Sequence, residues 1–476
     1  MPVKTIRKTK IICTLGPATD DDARLEAMIR AGLNVARLNF SHGSHDEHAG
    51  RVERVKRLRE KLGVPVALMM DTQGPDIRIC RLDGPFIELT SGAEFILTSE
   101  TCDGTCSRVG VTYRDLPQHV SPGETIMLDD GLIRLRVREV RGCEIVCVVE
   151  IGGRLASNKS LSVPGRSLSI PYMRENDVRD IEFAVRHDFD YIAASFVRNA
   201  ADVLEIRAIL ENHEARDIRI IAKIENAEGI ANSDGILNVA DGIMVARGDM
   251  GVEVDYVEIP SVQKELIKKA LARARISVVA TQMLESMVNA PRPTRAEISD
   301  VANAIYDGTS AIMLSGETSI GRYPVEAVEA MANIAERTER DIDYRKRFSH
   351  LDIPEDRNIT DAVSHATCLI AHQLDAAAIV APTQTGTTAM AVSRYRPSCP
   401  IIACTPDPKV YRQLALSWGV VPALLETAPN GDVLQFLAIR SARESGLVES
   451  GDLVITTAGI PLGVAGTTNT IRISTI

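Results

Sequence analysis

Eight short apolar runs alternating with amphipathic stretches, a period-2 interruption among them, and a second alternation after residue 345 together predict an α/β protein. The fold class is a (β/α)8 TIM barrel over residues 1–74 and 172–344. A small β-barrel lid is inserted over residues 75–171, and a C-terminal α/β domain follows over residues 345–476. The chain of 476 residues is long enough for this, since domains average ~100–200 residues.

The elements can be justified in order. Runs at 10–15, 34–39 and 66–71 supply three strands, and runs at 190–195, 219–224, 242–246, 277–281 and 310–314 supply five more. Helix-period stretches such as 21–31, 200–213 and 259–275 lie between them. Continuous apolar runs are expected of parallel strands buried on both faces. An open doubly wound sheet is the competing arrangement, and eight units favour closure. From Pro75 to Pro171 the pattern changes to alternation, as in Ile133-Arg134-Leu135-Arg136-Val137-Arg138, with Asp129-Asp130-Gly131 and Arg141-Gly142 as turns. An insert in a βα loop sits at the C-terminal face of a barrel and is placed to act as a lid. The last part repeats the α/β pattern, with strands at 377–381, 401–404, 452–456 and 471–474. Its helices fall at 359–373, 386–395, 409–417 and 432–445.

Composition excludes several classes. Apolar residues are 45% and charged residues 25%, which is ordinary for a globular chain. A net charge of −10 gives no general attraction to nucleic acid, so an anionic substrate needs a local basic cluster. The nine cysteines form no disulfide framework, which points to a reducing, cytoplasmic compartment. Cys102/Cys106 and Cys143/Cys147 have a loosely metal-like spacing but read as small buried hydrophobes rather than a zinc site. The basic start of the chain has too short an apolar run for a signal peptide, and no stretch reaches the ~20 apolar residues of a membrane span.

Barrel active sites gather polar residues from strand C-termini. Here the second run ends in Arg37, Asn39 and Ser41, and the third in Asp71 and Thr72, with Arg78 beyond. The fourth ends in Ser195, the fifth in Lys223 and Glu225, and the sixth in Arg247-Gly248-Asp249. The seventh ends in Thr281, and the eighth in Ser315 and Glu317. In Lys223-Ile224-Glu225 the two charged residues share one face of the strand. Glu225 and Asp249, from adjacent strands, suit a hard divalent cation such as Mg2+, with Lys223 offsetting charge on a transferring phosphoryl group. Alone, the tripeptide also reads as a buried ion pair. Arg37 and Arg78 are candidate phosphate clamps. Asn39, Ser41, Asp71 and Thr72 offer oxygens around a single negative charge, as K+ requires, although ordinary loop hydrogen bonding would use the same groups. His42, His45 and His48 lack the H-E-x-x-H pattern and read as a loop and helix start. No P-loop or protein-kinase signature is present.

These motifs resemble those of the pyruvate kinases. The resemblance rests on Val35–Gly43 (VARLNFSHG), Asp71–Arg78 (DTQGPDIR), Ala222–Asn226 (AKIEN) and Met244–Glu253 (MVARGDMGVE). It continues through Ala280–Met287 (ATQMLESM), Pro291–Glu297 (PRPTRAE) and Leu314–Thr318 (LSGET). It implies transfer of the phosphoryl group of phosphoenolpyruvate to ADP, with Mg2+ (or Mn2+) and K+ as cofactors. Lys223 and Arg37 would act on the phosphoryl group, with Ser195 nearby. Glu225 and Asp249 would hold the divalent metal, and Asn39, Ser41, Asp71 and Thr72 the K+. Gly248, Asp249 and Thr281 would hold the substrate carboxylate. Arg78, His42, Asn39 and lid residue Lys159 would approach the nucleotide, while Thr281, Ser315 and Glu317 lie on a proton path to the enolate. The resemblance also implies a homotetramer and a phosphorylated effector in the C-terminal domain, at Thr383, Thr385, Gly386, Thr387 and Thr388. Asp76 stands where many K+-dependent members of that family carry glutamate and K+-independent ones carry lysine, so it keeps a carboxylate on a shorter stem and implies K+ dependence. Asn158–Gly165 (NKSLSVPG) matches the lid motif loosely, and the effector loop has no lysine or arginine of its own. Another metal-dependent barrel enzyme acting on a 2-oxo acid is the alternative reading.

Overall fold

The computed structural model describes residues 6–166, 168, 170–351, 358–462 and 466–476. The first five residues of the basic start lie outside them. Eight strands are β1 (Lys10–Thr14), β2 (Val35–Asn39), β3 (Ala67–Asp71), β4 (Tyr191–Ala194), β5 (Arg219–Ile224), β6 (Gly242–Ala246), β7 (Ile276–Ala280) and β8 (Ala311–Leu314). They close into one barrel in sequence order, every neighbour parallel. One face of each strand fills the interior with Ile12, Val35, Met69, Ala193, Ile221 and Met244. The other face packs under the helices through Ile11, Ala36, Leu68, Ile192 and Ile220. Burying each of the larger side chains contributes roughly 1.5–3 kcal/mol. That double burial is why the strands read as unbroken apolar runs.

The helix after β2, His45–Leu62, starts where Ser44 and Glu47 cap each other's backbone N–H, and stops at Gly63, whose φ of 64° is left-handed. His45 bonds Asp180 and His48 stacks on Phe40, so these two histidines serve the helix start.

Beyond β3 the chain forms a six-stranded sheet and a two-stranded one. Ile133–Arg141 alternates buried and exposed residues along its first half, and Phe95, Leu97, Leu135 and Val137 fill the lid's core. Asp129 and Asp130, at φ 51° and 54°, make the expected turn. The two ends of the insert are pinned together at the barrel rim. Gly74 donates its N–H to Asp177 Oδ1 at 3.1 Å, and the Arg174 guanidinium donates back to the Gly74 carbonyl. Tyr172 Oη donates to the Ser195 carbonyl at 3.0 Å.

The C-terminal sheet has five strands, β9 (Ala378–Pro382), β10 (Ile401–Thr405), β11 (Val420–Leu424), β12 (Leu453–Gly459) and β13 (Thr468–Thr475), in the order β11-β10-β9-β12-β13. Sequence reading misses β11, which contains Pro422. It is an edge strand, the one place in a sheet where proline is tolerated. This sheet docks on the bottom of the barrel. Tyr191 Oη donates to the Gln413 carbonyl at 2.6 Å, Arg412 Nε meets Asp190 at 2.8 Å, and Lys10 Nζ reaches the Val420 carbonyl at 2.7 Å.

Candidate active site

The strand ends converge on one buried charge network. Asp71, 1% exposed, ends β3. Its Oδ2 accepts from Arg37 Nε at 2.7 Å, and its Oδ1 lies 3.1 Å from Lys223 Nζ and 3.2 Å from Ser195 Oγ. Arg37 Nη1 also donates to Thr14 Oγ1 at 2.7 Å, a contact sequence reading missed because a threonine at a strand end carries no chemical signature. Lys223 Nζ donates to Ser195 Oγ at 2.7 Å and lies 3.0 Å from Glu225 Oε1. Burial works against the Lys223 charge, but Asp71 and Glu225 outweigh it and raise the ammonium above the ordinary lysine range. Burial likewise opposes the Asp71 charge, and Arg37 with Lys223 outweighs it, so that carboxyl is held low. The network thus sets the Lys223 ammonium and the Arg37 guanidinium against the acidic side chains of Asp71 and Glu225.

Glu225 is fully buried. Its Oε2 accepts the Phe196 N–H at 2.6 Å, which requires Phe196 to sit at φ 54°, an uncommon conformation for a bulky residue. Its Oε1 accepts no well-directed hydrogen bond although Lys223 lies close. Burial pushes its carboxyl up to about 8, with Lys223 opposing and the Asp249 charge adding to the rise. A buried carboxylate with an open oxygen, facing a second carboxylate, fits a hard divalent cation. Among the described residues no group of three or more His, Cys, Asp or Glu side chains could hold a metal ion. Two carboxylates completed by substrate and water are the usual Mg2+ arrangement.

Asp249 lies in the first turn of helix Arg247–Glu253, which follows β6 directly. The Gly248 N–H donates to Thr281 Oγ1 at 2.8 Å, so these two predicted substrate contacts touch. Thr281, at φ 70°, follows β7, and Arg247 braces it by donating to its carbonyl at 2.7 Å while pairing with Asp300. Glu317 is fully buried, and its two oxygens accept the backbone N–H groups of Leu284 and Ser315 at 3.0 and 2.7 Å. It therefore holds the loops after β7 and β8 together.

Asn39 sits opposite Asp71 in the β2–β3 register, and its Oδ1 accepts the Ser41 N–H at 3.1 Å. Thr72 Oγ1 accepts the Ser195 N–H at 3.0 Å. The four oxygen-bearing residues thus sit on neighbouring strand ends. Arg78 and Lys159 do not join the buried network. They lie on the lid side, where Arg78 pairs with Asp76 at 2.7 Å and Lys159 with Asp129 at 2.8 Å. A cleft of about 380 Å³ between lid and barrel is walled by Asp76, Phe196, Asn226, Asp249 and Glu253 among others. Lys223 and Arg37 are buried rather than on its wall. Glu253 was missed by sequence reading. It lies four residues after Asp249, on the same helical face, and accepts a hydrogen bond from the lid backbone at Gly165.

Thr383, Thr385, Thr387 and Thr388 line a separate cavity of about 90 Å³ in the C-terminal domain, with Glu426 on its rim. Gly386, at φ 84°, starts the helix Thr387–Ser393. Arg219, the first residue of β5, donates to the Thr385 carbonyl at 2.7 Å.

A closed eight-stranded parallel barrel whose strand ends gather charged side chains beneath a lid defines the class of lidded barrel enzymes. Comparison with known proteins narrows the class. Residues 6–328 match the family described as "Pyruvate kinase, barrel domain", and residues 361–474 match "Pyruvate kinase, alpha/beta domain". The chain is 46% identical to the pyruvate kinase of Clostridium acetobutylicum, over 99% of this chain and 100% of that protein. It is 48% identical to that of Geobacillus stearothermophilus, over 99% of this chain and 80% of the relative. The chain belongs to the pyruvate kinase family.

Proposed function

We propose that this chain transfers the phosphoryl group of phosphoenolpyruvate to ADP, giving pyruvate and ATP. The observation that carries the reading is the Lys223 ammonium, fixed at the barrel mouth by Asp71, Ser195 and Glu225. Glu225 and Asp249 are the residues to hold Mg2+ or Mn2+, whose chemistry is to neutralise phosphate charge as it moves. Lys223 and Arg37 clamp the phosphoryl oxygens. Their charges are already in place before reaction, so no reorganisation is required. Gly248, Asp249 and Thr281 hold the substrate carboxylate. Arg78, Lys159, His42 and Asn39 orient the nucleotide for in-line attack, and the lid excludes competing water.

The enolate left behind takes a proton at carbon. Thr281 Oγ1 accepts from Gly248 and donates to the Ala280 carbonyl at 2.6 Å, so its hydroxyl must turn to pass a proton. The double backbone engagement of Glu317 suits it to positioning Ser315 and the Thr281 loop rather than to proton donation. Asn39, Ser41, Asp71 and Thr72 provide the K+ oxygens, with Asp76 as the nearby carboxylate.

We assign the threonine-lined C-terminal cavity to a phosphorylated effector, held by hydroxyls and the helix start at Gly386. We infer a homotetrameric assembly from the family resemblance alone. Among the described residues no helix is long and apolar enough to cross a membrane. The test is pyruvate formation from phosphoenolpyruvate and ADP with Mg2+ and K+, followed by coupled NADH oxidation. Absence of turnover from folded protein, with sugar phosphates and AMP supplied, refutes the assignment and favours a different 2-oxo-acid barrel enzyme.

A further inference from the structure

Five of the nine cysteines are buried. The other four, Cys80, Cys102, Cys106 and Cys143, all lie in the lid. Two of these, Cys80 and Cys102, converge on Gly110. The segment leading into the lid pairs with the loop before Arg108–Gly110 through a parallel bridge between Leu82 and Gly104. The Gly104 N–H donates to the Arg81 carbonyl, and the Asp83 N–H donates to the Gly104 carbonyl, both at 2.8 Å. Two residues back, the backbone partner of Cys80 is Gly110, whose carbonyl accepts the Cys80 N–H at 2.7 Å.

A second observation agrees. The missing side chain of Gly110 leaves open a point 3.1 Å from Cys80 Sγ and 3.4 Å from the Cys102 backbone nitrogen. The Cys80 sulfur and the Cys102 backbone therefore both border the space that Gly110 leaves free. The Cys80 thiol is pushed up by burial and, to a lesser degree, by the proximity of Cys102. Both residues are partly exposed, so a small oxidant can reach them.

We propose that Cys80 and Cys102 are a reversible dithiol–disulfide site whose oxidant is a hydroperoxide. One sulfur attacks the peroxide, the O–O bond breaks, and the peroxide leaves as water or an alcohol. The resulting sulfenic acid is attacked by the second sulfur, which forms the S–S bond and releases water. Two thiols are oxidised and one peroxide is reduced. The bond ties the segment that carries Asp76 and Arg78 to the body of the lid.

The test uses the full-length native protein, treated with hydrogen peroxide, alkylated and mapped by peptide mass spectrometry. The expected result is loss of two of the nine free thiols and a single cross-linked peptide pair containing Cys80 and Cys102. Dithiothreitol restores both thiols. The cross-link persists in Cys106→Ser and Cys143→Ser and is lost in Cys102→Ser. A Cys102–Cys106 link, a link through Cys143, irreversible oxidation without a cross-link, or no thiol loss in the wild-type protein overturns the proposal.

Discussion

Replacing Lys223 by methionine keeps the length of the side chain and removes its charge. The ammonium is held 3.1 Å from Asp71 and 3.0 Å from Glu225, and its proton affinity is raised, so it stays cationic throughout the working pH range. It acts as a fixed charge and not as an acid. One unit of charge developing ~4 Å away at an effective dielectric of ~20 interacts by about 4 kcal/mol. That corresponds to about a thousandfold in rate. The fold should tolerate the change. Asp71 retains Arg37 at 2.7 Å, and Glu225, already pushed up to about 8, takes a proton when its cation is removed. Lys223→Met is therefore expected to lower kcat about a thousandfold while the KM for phosphoenolpyruvate changes far less, measured by the NADH-coupled assay alongside the melting temperature. A kcat within about tenfold of wild type, with the protein folded, would refute the fixed-charge role and leave Lys223 as a structural ion pair.

Other perturbations test separate parts of the structure. Lys10 is buried with its Nζ on the Val420 carbonyl, and burial, then Arg7, lower its pKa from 10.5 to about 7 against the pull of Glu339. Between those values the unfolded chain carries a proton that the folded chain does not, so stability should rise with pH across that window. Lys10→Met should raise the melting temperature at neutral pH and flatten that rise; equal slopes in the two proteins would contradict the burial argument. Glu317→Gln presents an amide N–H to a backbone N–H at either Leu284 or Ser315, with an expected loss of about 1–3 kcal/mol by denaturant titration. An unchanged midpoint would show that the two contacts are dispensable. Asp76→Lys breaks the 2.7 Å pair with Arg78. Activity should then no longer depend on K+, and the KM for ADP should rise; K+ activation retained in the variant argues against Asp76 as the residue that sets the requirement.

Much of this architecture was legible in the sequence because barrel strands are buried on both faces and end abruptly in polar residues. Lys223 and Glu225 could be placed together because alternate strand residues share a face. Other features depend on which way a side chain turns once the chain is folded. Glu317 reads as a carboxylate at the barrel mouth, yet both its oxygens are committed to backbone N–H groups. Thr14 and Glu253 meet partners distant in sequence, Arg37 and the lid backbone at Gly165, so no local pattern marks their roles. The edge strand Val420–Leu424 is short and contains proline, which hides it from any search for continuous β-branched runs.

The pinning of the lid at Gly74, Arg174 and Asp177 bears on how such a barrel could acquire an insertion of this size. The chain leaves the rim and returns to it at a single point, so the barrel meets the insert as an ordinary loop with fixed ends. Closing a longer loop between fixed ends is only logarithmically costly, about 0.6 kcal/mol for each doubling. An ancestral short connection could therefore lengthen into a separate folding unit without moving a barrel strand. By the same reasoning, a few-residue linker joining Gly74 to Tyr172 should give a shorter chain in which the eight-stranded wall still closes.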